Sequence, residues 1–307
     1  MAFLNALPGA VAQGLIWGLM AIGVYISYKI LDIADLTVDG SICTGGCVCA
    51  VLIWVGCPVW LSVLVAFFAG ALTGALTGLF HTALGIPSIL AGILTQLILY
   101  SVNLSALGGK SLMAVDYRTN NLLLHMSDNI GAIVTLTLVV AAVIVGLWLF
   151  FYTEVGLTLK STGDNPDMSR AQGVNVKLNK VLGLAIANGI VALAGALLAQ
   201  YKGSANINDG RGAIVIALAA IYIGLSVSLK IKPNFVVSLI GVVCGGIVYY
   251  IIYNFVILLG LKTDYLKMLS AIIVVIFLAV PYLKEEYFRK KQMMPAQEAS
   301  VGGEPHA

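Results

Sequence analysis

The groups of this chain best able to handle a solute are hydroxyls, amides and a few acids set inside or beside otherwise apolar runs. Inside the runs are Gln13, Thr95, Gln96, Tyr100, Asn103, Asn188, Tyr249, Tyr250, Tyr253 and Asn254. Polar groups enclosed by apolar sequence mark a pathway or a bond between helices. Gln96, Tyr100 and Asn103, spaced by four and three residues, fall on one face of a helix. That face, with Thr37, Asp39, Ser41 and Thr44, forms the candidate solute path. The alternative is that these groups satisfy one another in a dry core. Asp39 is the deepest acid, and no apolar run carries one near its centre. A carrier driven by protons or sodium commonly needs such a carboxylate. Enzymatic chemistry is poorly served. His81 and His125 do not form a pair, and no serine sits in a Gly-x-Ser-x-Gly elbow. Cys43 and Cys47 lie one helical turn apart but lack the CxxC or His/Cys spacing of a zinc site, so they read as small packing residues.

The elements that position these groups follow from composition. Of 307 residues, 60% are hydrophobic and 10% charged, with a mean hydropathy of +0.99. A soluble domain carries about 25% charged residues. So charge-poor a chain is suited to a bilayer, and without a basic stripe it gives no support to nucleic-acid binding. Apolar stretches of the length needed to cross the hydrocarbon core fall at 8–28, 41–56, 59–84, 87–107, 130–151, 181–201, 212–229, 234–259 and 265–283. The expected fold is therefore an all-α polytopic membrane protein of about nine transmembrane helices (8–10). The second is short and follows the polar run Asp35–Gly40, which predicts a broken helix lining a cavity. A stripe of Gly70, Gly74 and Gly78, with weaker pairs Gly14/Gly18 and Gly241/Gly245, predicts close helix packing within or between subunits. Residues 1–291 read as one membrane domain and 292–307 as a disordered cytoplasmic tail. The loop 108–129, with Lys110, Asp116, Arg118 and Asp128, is either an outer docking surface or a passive linker.

Lys29, Lys160, Arg170, Lys177, Lys180, Lys230, Lys232, Lys284, Arg289, Lys290 and Lys291 share one side if nine spans alternate. These are eleven of the 17 basic residues, which makes that side cytoplasmic. The C-terminus is then expected inside and the N-terminus outside. The N-terminus lacks a basic n-region and a clear cleavage site, so the first span is expected to remain as an uncleaved anchor.

The polar stretch 152–180 carries its own helix signals. Asn165 suits an N-cap, Pro166 the first helical position and Asp167 the first turn. Gly173 suits the left-handed stop. A two-turn helix over about 166–172 is predicted, too short to stand alone in water. Met168, Ser169, Ala171 and Gln172 lack the amphipathic face of an interfacial helix, so a small knob for a protein socket is expected.

This stretch, with Gly183–Gln200 after it and then Tyr201-Lys202-Gly203 and Gly210-Arg211-Gly212, resembles the permease signature of bacterial ABC importers of the branched-chain amino acid and ribose type. Asp35-Leu36-Thr37-Val38-Asp39-Gly40-Ser41 resembles the Asp-Leu-Ser-Val-Gly-Ser element of the sugar permeases, with one extra residue. Ile86–Thr95 resembles their next Ile-Pro helix. The matches come in order and cover most of residues 30–225; they are most similar to the branch that includes tryptophan-type permeases. Gly224-Leu225 departs from the Gly-Gly common in sugar permeases.

The resemblance implies a division of labour. A permease dimer, here a homodimer, forms the pathway in the bacterial cytoplasmic membrane. Two cytoplasmic ATPase subunits dock on its coupling helices, and an extracytoplasmic binding (lipo)protein delivers the solute, an amino acid in the first instance and a sugar or nucleoside in the second. By position Asn165, Pro166, Met168, Arg170, Ala171 and Gly173 would form the coupling element. No cofactor is expected on this chain. ATP and Mg belong to the partner, and the chain has no Gly-x-x-x-x-Gly-Lys-Ser/Thr loop. It is thus expected to be a transport subunit and not an enzyme. The competing reading is an ion-coupled secondary transporter or a channel for a small neutral solute.

Overall fold

The computed structural model describes residues 2–115, 122–124, 129–228 and 234–258, together with the single positions Met268, Ala271, Ile272, Val275 and Ala279. Within these residues the chain forms ten α-helices: α1 (Ala2–Tyr25), α2 (Val38–Trp54), α3 (Val59–Thr82), α4 (Ser88–Ala106), α5 (Asn129–Phe151), α6 (Glu154–Asp164), α7 (Pro166–Ala171), α8 (Val176–Lys202), α9 (Ala213–Ser228) and α10 (Phe235–Leu258). A π-helical turn, Ile26–Ile30, continues α1.

Among the described residues six helices are long and apolar enough to cross a membrane. They are the runs Ala6–Ile30, Val59–Thr82, Ser88–Ala106, Asn129–Phe151, Val176–Lys202 and Phe235–Ile257. Six of the nine expected spans are thus matched at full length. The second and seventh expected spans are helices, but α2 has 17 residues and α9 has 16. At 1.5 Å per residue each reaches about 25 Å, short of the ~30 Å hydrocarbon core. The ninth, 265–283, lies outside the described residues except at the five positions named, each helical. His125, Asp116, Arg118, Asp128, Lys230, Lys232, the basic cluster 284–291 and the tail 292–307 also lie outside them.

The bundle is apolar on its outer faces as well as in its core. In α1 and α8, 83% and 72% of the most apolar window is buried, against 22–44% in the other four long helices. α1 and α8 are therefore the central pair, and the outer helices turn apolar faces away from the protein. On α3 that outer face is Trp60, Leu64, Phe68 and Leu72, one residue per turn. Its opposite face is the glycine stripe, and the stripe is spent within the subunit. A Cβ on Gly74 would come 2.7 Å from the Leu184 carbonyl carbon and 2.9 Å from Asn188 Cβ, and one on Gly78 2.8 Å from Val181 Cα. All three contacts are on α8. Gly14 and Gly18 likewise admit α10 at Ile247 and Val243. α3 on α8 and α10 on α1 are thus the two most extensive pairings of the fold.

One small ribbon accompanies the helices. Leu112–Ala114 (β1) pairs antiparallel with Ser204–Asn206 (β2), with Met113 opposite Ala205. The beginning of the expected 108–129 loop is therefore a two-stranded ribbon, and Leu124 beyond it is fully buried. The reach between α4 and α5 is partly core, not a free linker.

Candidate functional site

Two constellations stand out, one in the polar stretch between α5 and α8 and one around the start of α2. The stretch between α5 and α8 contains α6 as well as α7. Thr153 caps α6, accepting from Gly156 N at 3.3 Å. α7 forms as its sequence dictates. Asn165 Oδ1 accepts from Met168 N at 3.0 Å, Pro166 opens the helix, and Gly173 takes φ +83° with its N–H donating to Arg170 O at 3.0 Å. The helix is one residue shorter than expected. It is seated by Ser169, which is buried and whose Oγ donates to Ser161 Oγ of α6 at 3.2 Å. Asn179 of α8 donates to Thr162 Oγ1 of α6 at 3.1 Å. Met168 is 59% exposed, and Arg170, paired with Asp167 at 3.4 Å, projects beside it. The result is a knob with a fixed base and a free tip.

At the start of α2 the chain re-enters the bundle through 31–37. Asp35 is buried here, and this corrects the expectation that Asp39 is the deepest acid. Its Oδ1 accepts from Thr37 N at 2.9 Å, and its Oδ2 accepts from Asn188 Nδ2 at 2.6 Å, halfway along α8. Asn188 Oδ1 in turn accepts from Ser41 Oγ at 2.7 Å. Ser41 Oγ lies 2.7 Å from Thr73 Oγ1, Thr37 Oγ1 lies 2.7 Å from Thr77 Oγ1, and Thr77 Oγ1 lies 3.0 Å from Thr95 Oγ1. Asn103 Nδ2 donates to Thr44 Oγ1 at 3.1 Å. These hydroxyl and amide bonds tie α2 to α3, α4 and α8. Buried polar groups cost free energy unless bonded, and these are bonded.

The expected path residues therefore divide. Thr37, Ser41, Thr44 and Asn103 are buried among these bonds. Asp39 faces α9 instead, its two oxygens accepting from Gly212 N and Ile214 N at 2.9 Å each, so that it caps the start of that helix. The buried ridge of α4 runs Gly92, Thr95, Leu99, Asn103. Gln96 sits at its edge, half-buried, and Tyr100 lies outside it, 42% exposed. At 100° per residue Tyr100 is turned about 60° from Asn103, enough to take it off the ridge. Thr73, Thr77 and Asp35 were not singled out from sequence. The signal for the threonines was their place on the glycine stripe: residues 70, 73, 74, 77 and 78 share one helical face.

Cys43, Cys47 and Cys49 are buried among the packed helices. Cys43 Sγ donates to Ile207 O at 3.3 Å and accepts from Gly210 N at 3.1 Å, while Cys49 Sγ accepts from Gln200 Nε2 at 3.4 Å. Among the described residues no group of three His, Cys, Asp or Glu is placed to hold a metal.

Long apolar helices, lipid-facing sides and a bonded polar interior define a polytopic membrane protein. The chain belongs to the permease family described as the branched-chain amino acid transport system permease component, whose model matches residues 7–278. That is a family of ABC-transporter membrane subunits, not of enzymes. The chain is 34% identical over 279 residues to a tyrosine transport system permease protein of Clostridioides difficile, covering 90% of this chain and 91% of the relative. It is 29% identical over 191 residues to the autoinducer 2 import system permease of Salmonella paratyphi B (61% and 55% of the two chains). It is 27% identical over 241 residues to the galactose/methyl galactoside import permease of Escherichia coli (76% and 69%). No solved structure matches.

Proposed function

We propose that this chain is the membrane-spanning subunit of an ATP-driven importer, acting as a homodimer and carrying an amino acid released by an extracytoplasmic binding protein. A separate ATPase dimer on the cytoplasmic side drives it. The observation that carries the reading is α7, a six-residue helix capped by Asn165, stopped at Gly173 and anchored by Ser169, with Met168 and Arg170 left outward. A helix this short has no stability to spare for decoration. A rigid base under an exposed tip suits a socket on a partner. The amino-acid assignment is drawn from the tyrosine transport permease, to which the chain is similar along nearly its whole length. A sugar is the second choice, from the galactoside permease.

The test is to co-express the chain with a candidate ATPase and a candidate binding lipoprotein from the same organism. ATPase should co-purify through α7, and proteoliposomes holding the complex should accumulate labelled tyrosine when ATP is supplied. Failure of any ATPase to remain bound would sink the reading.

A further inference from the structure

Directly after α1 the backbone departs from regular helix twice. Residues Ile26–Ile30 form a π-helical turn, closed by Leu31 N donating to Ile26 O at 3.0 Å. Asp32 then takes φ +54°, the one non-glycine residue with positive φ among the described residues. π-turns and left-handed non-glycine residues cost free energy and cluster where a protein needs a special geometry. Both departures lie where three elements meet.

α6 touches the π-turn at Gly163. Any Cβ there would overlap the Ile30 carbonyl oxygen, so the absence of a side chain sets how closely α6 approaches. α8 touches the adjoining residue at Gly183, against the Leu31 side chain. Tyr28 OH lies 2.8 Å from Tyr222 OH of α9. Three residues past Asp32 comes Asp35, gripping Thr37 N on one side and Asn188 on the other. From the exposed tip of α7 there is therefore a continuous series of contacts. It runs through Ser169–Ser161 to α6, through Gly163–Ile30 to the π-turn, and through Asp35 to the first turn of α2. α2 is the short helix whose hydroxyls and capping carboxylate join α3, α4, α8 and α9.

We propose that Ile26–Thr37 is a joint that carries displacement of α7 to the inner end of α2, with Asp35 and Asn188 as its positioning pair. The proposal rests on the reading of α7 as the place where an ATPase docks. The π-turn and Asp32 supply backbone that can change dihedral angle without breaking a regular helix. The Asp35–Asn188 bond fixes where that change is delivered. Without it, α7 and its partner would move while α2 stayed put, and hydrolysis would run without transport.

The pair lends itself to an exchange. Asn at 35 can still accept from Thr37 N and can donate to an Asp at 188, which can still accept from Ser41. The test uses the full complex of permease, ATPase and binding protein in proteoliposomes, with D35N, N188D, the double D35N/N188D and G163A. Tyrosine uptake, ATP hydrolysis and bound ATPase are measured per complex. Each single variant should hold the ATPase and hydrolyse ATP, while tyrosine moved per ATP falls roughly 5- to 150-fold, the usual range of coupling between sites. The double exchange should recover most of that ratio, and G163A, which pushes α6 off the π-turn, should lower it without touching the pair. An unchanged ratio in the singles overturns the joint. So does a double variant no better than the singles, which would mark the pair as packing only. If the wild-type chain retains no ATPase, the importer reading falls and takes the joint with it.

Discussion

The caps of α7 can be removed without disturbing the bundle, and the cost can be worked out in advance. Asn165→Ala deletes the one side-chain acceptor for Met168 N. Loss of such a cap costs about 0.5–2 kcal/mol. Gly173→Val acts only through the backbone, because φ is +83° and nothing lies within 4 Å of the added Cβ. Such strain costs about 1–3 kcal/mol. Together the changes amount to about 3 kcal/mol, roughly a hundredfold in the balance between a formed and a frayed α7. The bundle does not feel this, since neither residue packs among the long helices, but a six-residue helix has no reserve. Hydrogen exchange of the reconstituted permease should show amide protection in 166–174 falling by about that factor while α8 keeps its own. ATPase co-purification should fall in step. Unchanged protection would refute the capping argument. Lost protection with the ATPase still bound as in the wild type would refute the role of α7 in docking.

Three other outcomes follow from the packing. Gly74→Val should lower the unfolding temperature in detergent, because the new side chain meets the α8 backbone at Leu184, and overpacking costs about 1–3 kcal/mol; Gly146→Val, where nothing lies within 4 Å, should leave it unchanged. Asp39→Ala should strip the α9 cap and cost about 0.5–2 kcal/mol, read as a lowered midpoint and as faster exchange of the Gly212 and Ile214 amides. Asn103→Leu should lower stability by about 0.5–1.5 kcal/mol through its lost bond to Thr44, whereas Gln96→Leu, at the edge of the ridge, should lower uptake with the midpoint unmoved; a normal uptake rate in Gln96→Leu would remove it from the solute path.

Much of this architecture was legible because a bilayer leaves a strong compositional mark. Eight of the nine expected spans contain a helix, and α7 was readable to within a residue because its start and stop signals are local. The break before α2 was readable from its polar run. What escaped the sequence was long-range. Asp35 sits in a polar linker, where an acid is ordinarily solvated, and only its partner 153 residues away reveals that it is buried. The bonds of Asp39 to the start of α9 are equally remote, spanning 173 residues. α6 was hidden in a stretch too polar and short to register as a span. β1 and β2 are three residues each, too brief for an alternating pattern. The exposure of Tyr100 escaped it because spacing alone gives the residues that share a face, but not which direction the neighbours lie.

We infer that this chain moves solute only when a partner hydrolyses ATP. The most direct measurement is uptake of labelled tyrosine into proteoliposomes made two ways. One set holds the permease with its ATPase and binding protein, the other the permease alone under an imposed proton or sodium gradient. Solute should accumulate in the first set, stopping when ATP is withheld, and should not accumulate in the second. Accumulation by the chain alone on an ion gradient would contradict it, and would turn attention to Asp35 as an ion-binding carboxylate.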